Sequence, residues 1–333
     1  MDLKFTGSAI EYFRIWIVNV CLTLLTLGIF SAWAKVRKKR YFYSHTLLDG
    51  TPFQYLGMPI PILKGRLIAA VLFAVWYVST HYVTTLVPFV ILIALVLAPW
   101  VAVRAAAFNT RYSAYRNMTF SFAGSYLSAA KVMYGWALVT LLTLGMGYSW
   151  WHQRMKRYMV NQTSYGGIAG DFSATGGQFF KTYFIAGLLF IGAVVGAGML
   201  VGFGAAFAGK ANRPVFTVMV LVVMYAAYVM VFAYTQARIA NLTWNHTQLG
   251  PLHFNSTLEV RGLLGLYLTN ALGILASAGL LIPWATIRTL KYRADRFSVQ
   301  ANGDLKEFEG SDDSSVRAVG AEVGDIFDFD MSI

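Results

Sequence analysis

Two stretches of this chain, 87–103 (VPFVILIALVLAPWVAV) and 215–233 (VFTVMVLVVMYAAYVMVFA), contain no charged residue. A hydrocarbon core about 30 Å thick is crossed by roughly 20 apolar residues wound as a helix. Runs of this length therefore restrict the chain to a bilayer. The whole sequence agrees, with 57% apolar and 13% charged residues over 333 positions, where a soluble domain carries about 25% charged residues. A soluble enzyme, a disordered regulator and a secreted disulfide scaffold are excluded. The single cysteine, Cys21, excludes intrachain disulfides and multi-cysteine metal sites. Asp2–Gly7 carries no cleavage site, so the first apolar run is expected to be kept.

Seven segments reach or approach spanning length, at about 12–34, 66–86, 87–108, 131–151, 181–207, 214–236 and 262–284. They predict an all-α integral membrane bundle of about seven transmembrane or membrane-embedded helices, with Pro99 kinking the third.

Comparing the chain with itself adds an internal repeat. A shift of 117 places Leu24-Leu25-Thr26-Leu27-Gly28 on Leu141-Leu142-Thr143-Leu144-Gly145, and Trp33, Arg37, Arg40 and Tyr41 on Trp150, Arg154, Arg157 and Tyr158. A shift of 251 gives a weaker third copy, with Asn19 on Asn270, Gly28 on Gly279, Trp33 on Trp284, Arg37 on Arg288, Arg40 on Lys291 and Tyr41 on Tyr292. Each unit opens on a strand-like entry, continues as an apolar helix, a Gly and a Trp-led basic helix, and closes on a hairpin-like stretch. The turns expected there are Asp49-Gly50, Gly166-Gly167 and Asn302-Gly303, pairs whose positive φ suits two-residue hairpins. The expected organisation is a membrane domain over 1–303, with units at about 3–57, 119–174 and 252–310 separated by helical hairpins 66–108 and 181–236. An acidic tail, 304–333, follows.

Charge is divided unevenly between these parts. The tail holds nine of the fifteen acids beside Lys306 and Arg317, leaving residues 1–303 at a net charge of +19. Such a body fits anionic lipid headgroups rather than nucleic acid, because its cations flank apolar spans. Here two rules collide. Lys and Arg clusters belong in the cytoplasm, yet three spans separate each basic cluster from the next, so seven ordinary crossings put the middle one outside. The alternative is that the first helix of each unit breaks at Gly28, Gly145 or Gly279 and leaves on the side where it entered. The strand-like entries and hairpins would then form a small cytoplasmic sheet.

The spacing of Trp33, Arg37 and Arg40 stacks them on one helical face, and Trp150-Arg154-Arg157 and Trp284-Arg288-Lys291 repeat it. One reading is a site for a lipid phosphate or another anion; the plainer one is interfacial anchoring. Asn19 and Asn270 occupy matched apolar positions, where the second unit has Trp136. They suit interhelical hydrogen bonds or a polar path. Thr26, Thr143 and Ser277, each two residues before a Gly, suit a helix end with the hydroxyl bonding a carbonyl. The GxxxG pairs Gly192/Gly196 and Gly198/Gly202 suit close helix packing or a hinge. Arg14, Arg104 and Lys131 are expected to snorkel, and Glu11 to pair with Arg14. Five histidines and six body acids form no catalytic or metal-binding pattern, so no catalytic residue, metal or cofactor is expected. The tail, with aromatics alternating with acids, suits strand addition or docking on the basic helices; a protein partner or a homo-oligomer would use it.

The string from Asn19 through Leu24-Leu25-Thr26-Leu27-Gly28, Trp33, Lys35, Arg37 and Lys38-Lys39-Arg40-Tyr41 to Thr46, Asp49-Gly50 and Phe53 resembles the YjgN-like family. These are multi-pass bacterial inner-membrane proteins without an assigned reaction. The resemblance extends over most of the chain; the second unit departs from it at Trp136, and the third lacks Thr-Leu-Gly. It implies location and architecture, but no ligand and no functional residue. The expected function is transport or permeation of a small solute or anion, suggested by repeats, matched Asn residues and Gly-rich helices. The alternative is a non-catalytic scaffold or lipid-interacting assembly factor, suggested by the basic helices and the tail.

Overall fold

In the computed structural model, which describes residues 1–207 and 213–301, four helices are long and apolar enough to cross a membrane. They correspond to α3 (Pro59–His81), α4 (Val87–Arg111) with the turn before it, α8 (Gly176–Phe207) and α9 (Arg213–Asn245). α3 packs on α4 and α8 on α9, giving two long helical hairpins. α4 continues unbroken through Pro99.

The apolar segments expected at 12–34, 131–151 and 262–284 are not single helices. α1 (Ala9–Leu25) stops, the chain reverses over residues 26–30, and α2 (Ser31–His45) runs back alongside it. The second unit does the same with α5 (Tyr126–Ala130), a π-helical turn (Lys131–Gly135) and α6 (Trp136–Leu142), answered by α7 (Tyr148–Gln162). In the third, α10 (Val260–Ala276) is answered by α11 (Ile282–Ala294).

The reversal follows from its sequence. Leu27, Leu144 and Ala278 adopt φ of 49°, 51° and 49°, and the glycines after them adopt 91°, 94° and 92°, where a Cβ is strained. The N–H groups of Gly28, Gly145 and Gly279 donate to carbonyls five residues back, each at 2.8 Å. The hydroxyls of Thr26 and Thr143 donate to Leu22 O and Val139 O at 2.7 Å. They also accept the N–H groups of Phe30 and Gly147 at 2.9 and 2.8 Å. Ser277 bridges Ile274 O and Leu281 N in the same way. One hydroxyl thus joins the two helices at the tip and satisfies backbone groups that hydrocarbon would leave without partners.

Short strands connect the hairpins. β1 (Leu3–Phe5) pairs with β2 (Thr46–Leu48), which pairs with β3 (Thr51–Pro52). Phe53 links β3 to β4 (Gln54–Tyr55), and its N–H donates to Thr46 O at 3.1 Å, so β3 and β4 form one bent strand with a partner on each side. From β4 the antiparallel order continues through β5 (Ser113–Tyr115), β6 (Met118–Phe122), β7 (Thr163–Tyr165) and β8 (Ile168–Phe172). β9 (Thr247–Leu249), β10 (Leu252–Ser256) and β11 (Phe297–Ala301) complete it. The ends then meet: Asp2 bridges Ser298, and Met1 and Val299 exchange hydrogen bonds of 2.8 and 2.9 Å. The sheet is curled into a ring, which removes the edges that an open sheet of short strands would present.

Residues of alternating burial fill this ring, as the period of two requires. Leu3, Phe5, Leu48, Tyr115, Tyr165, Leu249 and Val299 share one core. Tyr12 of α1, Tyr41 of α2 and Ile287 of α11 belong to the same core and stopper the ring on the helical side. Two buried phenols brace it, Tyr165 donating to Tyr115 O at 2.9 Å and Tyr115 to Leu48 O at 2.8 Å. Burial, with Tyr115 beside it, pushes the Tyr165 phenol up to about 12, so it stays a neutral donor.

Every helical hairpin leaves the ring by one strand and returns by that strand's neighbour: α1/α2 between β1 and β2, α3/α4 between β4 and β5, and so on round to α10/α11 between β10 and β11. All five hairpins therefore rise from one rim. The opposite rim carries the tight turns Asp49-Gly50, Arg116-Asn117 and Gly166-Gly167, with positive φ at both residues of each, and the first two are tied by an Asp49–Arg116 ion pair of 3.0 Å. Asn302-Gly303, the tail 304–333 and Lys210 lie outside the described residues.

Candidate functional site

Ten basic residues of the helical hairpins fall within one belt, while Arg111, Arg261 and Arg293 lie at the rim itself. Arg37, Arg154 and Arg288 lie eight, eight and six residues before the ends of α2, α7 and α11. At 1.5 Å per residue this is about 9–12 Å above the rim of the ring. Arg14, Lys64, Arg66, Arg104, Lys131, Lys181 and Arg238 lie five to seven residues from the rim on their own helices, about 7–10 Å by the same rise. Beyond this belt, at the tips of the first and second short hairpins, Leu27 is 95% exposed and Leu144 97%.

The expected face of Trp, Arg and a second cation is only partly assembled. Trp33 stacks with Phe30 and packs beside Ala32, Val36 and Ile62, between α2 and α3. Trp150 packs against Phe180 and over Gly176 at the start of α8. Both rings thus fix a short hairpin to the long one after it. Only Trp284 lies under its own arginine, with the Arg288 guanidinium 5.2 Å from the ring centroid. Arg40 donates to Gly57 O at 3.2 Å; Arg157 and Lys291 are exposed.

The matched arginines instead reach across their hairpins to the matched Asn residues. Arg37 donates to Asn19 Oδ1 at 3.4 Å and Arg288 to Asn270 Oδ1 at 3.2 Å. Each Asn in turn donates to the facing helix, Asn19 to Ala34 O at 3.4 Å and Asn270 to Ala285 O at 3.3 Å. Both amides are buried inside their own hairpins, so the described residues show no polar passage along them. In the second unit Trp136 takes the place of Asn, and Arg154 stacks on it at 5.3 Å. This exchange of a hydrogen-bond acceptor for a π face was readable from the aligned units, but its partner was not.

Other expectations are corrected. Glu11 accepts from Tyr41 Oη at 3.1 Å and approaches His45 at 3.9 Å, and no Glu11–Arg14 ion pair forms. The positions where Gly192, Gly196, Gly198 and Gly202 would carry a Cβ have nothing within 4 Å, so the GxxxG pairs pack on no other helix of the described residues. The sequence reading also missed the tyrosine latches at the feet of the short hairpins. The single Tyr41 hydroxyl proton is shared between Ser8 O, at 3.0 Å, and Glu11, while Tyr158 donates to Ser125 O at 3.1 Å and Tyr292 to Glu259 O at 3.4 Å. The alignment of the three tyrosines was the available signal.

A groove of about 550 Å³ runs between α10 and α11, bordered by Arg261, Thr269, Arg288 and Lys291. Among the described residues no three His, Cys, Asp or Glu side chains gather into a metal site.

Comparison with known proteins agrees with this picture at the level of location. The inner membrane protein YjgN of Salmonella typhimurium strain LT2 is 26% identical over 384 residues, covering 93% of this chain and 91% of that one. The proteins of the same name from Escherichia coli K12 and O157:H7 are 38% and 45% identical over 73 and 51 residues, covering 22% and 15% of this chain and 17% and 13% of their own. No solved structure matches the chain. These relatives and the four long apolar helices place the protein in the bacterial inner membrane. The profile of the bacterial proteins of unknown function designated DUF898 matches residues 1–326, and the chain belongs to that family.

Proposed function

We propose that the protein is a non-catalytic, lipid-engaging scaffold of the inner membrane, with its ring of strands on the cytoplasmic face. The observation that carries this reading is that all five helical hairpins rise from one rim of a closed, filled ring. Every basic cluster then lies on one side, at headgroup height, as cytoplasmic Lys and Arg require. The three units are read as copies of one design: a half-depth hairpin whose tip stops about nine residues beyond its arginine, roughly 13 Å. The two long hairpins cross fully, so the chain passes four times instead of seven. A transport path is disfavoured because the ring is packed with aromatics and the Asn amides are consumed within their own hairpins.

Sidedness tests this. In a Cys21→Ser background, single cysteines at Pro52, Ala169 and Gln300 on the ring should react only with reagents admitted to the cytoplasm. A cysteine at Tyr82, 76% exposed at the far end of α3, should react from the periplasm. Periplasmic labelling of Ala169→Cys alone would turn the middle unit over and favour antiparallel repeats of a transporter.

A further inference from the structure

The groove between α10 and α11 is lined by residues that differ from those at the aligned positions of the other two short hairpins. Arg261, Gly262, Gly265 and Thr269 line the α10 side. The aligned residues of the first unit are Ile10, Glu11, Arg14 and Val18, and of the second Leu127, Ser128, Lys131 and Gly135. Each unit has one cation among these four positions, but only the third has glycines at both floor positions, with its cation, Arg261, moved to the end nearer the ring. A Cβ at Gly265 would meet nothing within 4 Å, so the floor is open there.

The opposite wall holds Arg288 and Lys291, with Asp295 at the end nearer the ring. Arg288 is fixed in place. It donates to Thr269 Oγ1 at 2.5 Å and to Asn270 Oδ1 at 3.2 Å, over the Trp284 ring. Thr269 itself donates to Gly265 O at 2.7 Å. Among the described residues no carboxylate lies within ion-pair distance of Arg261, Arg288 or Lys291. Three cations to one carboxylate, one guanidinium held rigidly and an open floor form a site for a compact anion with several acceptor oxygens. Along the same face of α10 the groove runs out onto Leu272 and Leu275, 66% and 73% exposed, an apolar strip on which acyl chains would lie.

We infer that this groove binds a phosphate group, that of an anionic phospholipid of the cytoplasmic leaflet, a reading that rests on the membrane placement proposed above for the choice of a lipid over a free ion. The test is native mass spectrometry of the full chain in detergent, with added phosphatidylglycerol or phosphatidylcholine, and with inorganic phosphate as competitor. The wild type should retain phosphatidylglycerol over phosphatidylcholine. Gly265→Leu, which fills the floor without removing a charge, and Arg261→Gln/Lys291→Gln, which removes charge without filling it, should each weaken retention by about 10- to 100-fold, the worth of about one charge-assisted hydrogen bond. Arg157→Gln in the second unit should change it little. Displacement of the lipid by millimolar phosphate in the wild type, absent in the variants, would keep the site and make a soluble phosphate its source. Retention unchanged in both groove variants, each eluting and melting as the wild type does, would overturn the inference. Because the assay is in detergent, its outcome is independent of sidedness, and a failed labelling experiment would leave it standing.

Discussion

Leu144→Lys isolates the surroundings of a short tip from everything else. Leu144 is 97% exposed at the reversal of the second hairpin, with φ of 51°. Little packing is lost on replacing it, and Lys at that φ carries the same backbone strain as Leu. What changes is the medium. Nine residues from Arg154 to Gly145 put the tip about 13 Å beyond the cationic belt, near the middle of a hydrocarbon core about 30 Å thick. At that depth Lys costs about 2.5–3.5 kcal/mol and Leu gains about 0.3–0.6 kcal/mol, so the exchange costs about 3–4 kcal/mol. Snorkelling lowers this in proportion to how far the bilayer deforms. A soft detergent micelle lets the ammonium reach water and removes most of the penalty. Unfolding of wild type and variant should therefore be followed by denaturant titration in lipid nanodiscs and in detergent. The expected result is a loss of at least about 2 kcal/mol in nanodiscs and a near-silent change in detergent. A nanodisc cost below about 1 kcal/mol, the value for an interfacial position, would mean that the tip reaches a headgroup region, and half-depth insertion would be refuted.

Three further outcomes are expected. A methyl at Gly262 would overlap Tyr292 Oη, whereas one at Gly265 meets nothing; thermal unfolding should show Gly262→Ala destabilised by about 1–3 kcal/mol through overpacking and Gly265→Ala unchanged or up to about 1 kcal/mol more stable. Tyr158→Phe removes the latch to Ser125 O and should cost about 1 kcal/mol by urea titration. Tyr165 has its phenol raised from 10.0 to about 12 in the fold, so the stability held by its neutral form is fully present below pH 10 and lost as pH rises from 10 towards 12. Tyr165→Phe should be less stable at pH 8 and lose less between pH 10 and 12; an equal alkaline loss in both proteins would assign it to other tyrosines.

What the sequence made legible follows the range of each signal. Long apolar runs reported α3, α4, α8 and α9 directly, because spanning length is a local property. Asp49-Gly50 and Gly166-Gly167 were readable as turns, since positive φ at both residues narrows the choice of residue type. The strand entries at Leu3, Thr119 and Leu252 were readable only because the units align. Ring closure was invisible: it depends on Met1 meeting Val299, partners 298 positions apart, and on the bent strand β3–β4 pairing with β2 on one side and β5 on the other. β4, β5 and β9, two or three residues each, carry too short a period to stand out from the helix ends beside them. At the candidate site, Arg37 and Asn19 were each marked separately, but their contact required knowing that the chain turns back at Gly28.

Under the proposed placement, that turn also removes the collision between charge and crossing number. If each apolar segment crossed once, three spans between basic clusters would place the middle cluster opposite the other two. In the ring, each excursion starts and ends on adjacent antiparallel strands, so both of its feet lie on one side whatever its depth. Depth then becomes a free variable, set by length and by the tip. α8 and α9, at 32 and 33 residues, have length for about 48 Å of helix, enough to clear the core. The 17 residues of α1 and of α10 amount to about 25 Å, the lower part of which lies at or below the cationic belt. On the placement proposed above, a hairpin that short reverses inside hydrocarbon, where water cannot satisfy its backbone. The hydroxyl two residues before each glycine does so at all three tips, which is why that residue is Thr, Thr and Ser in segments otherwise so apolar.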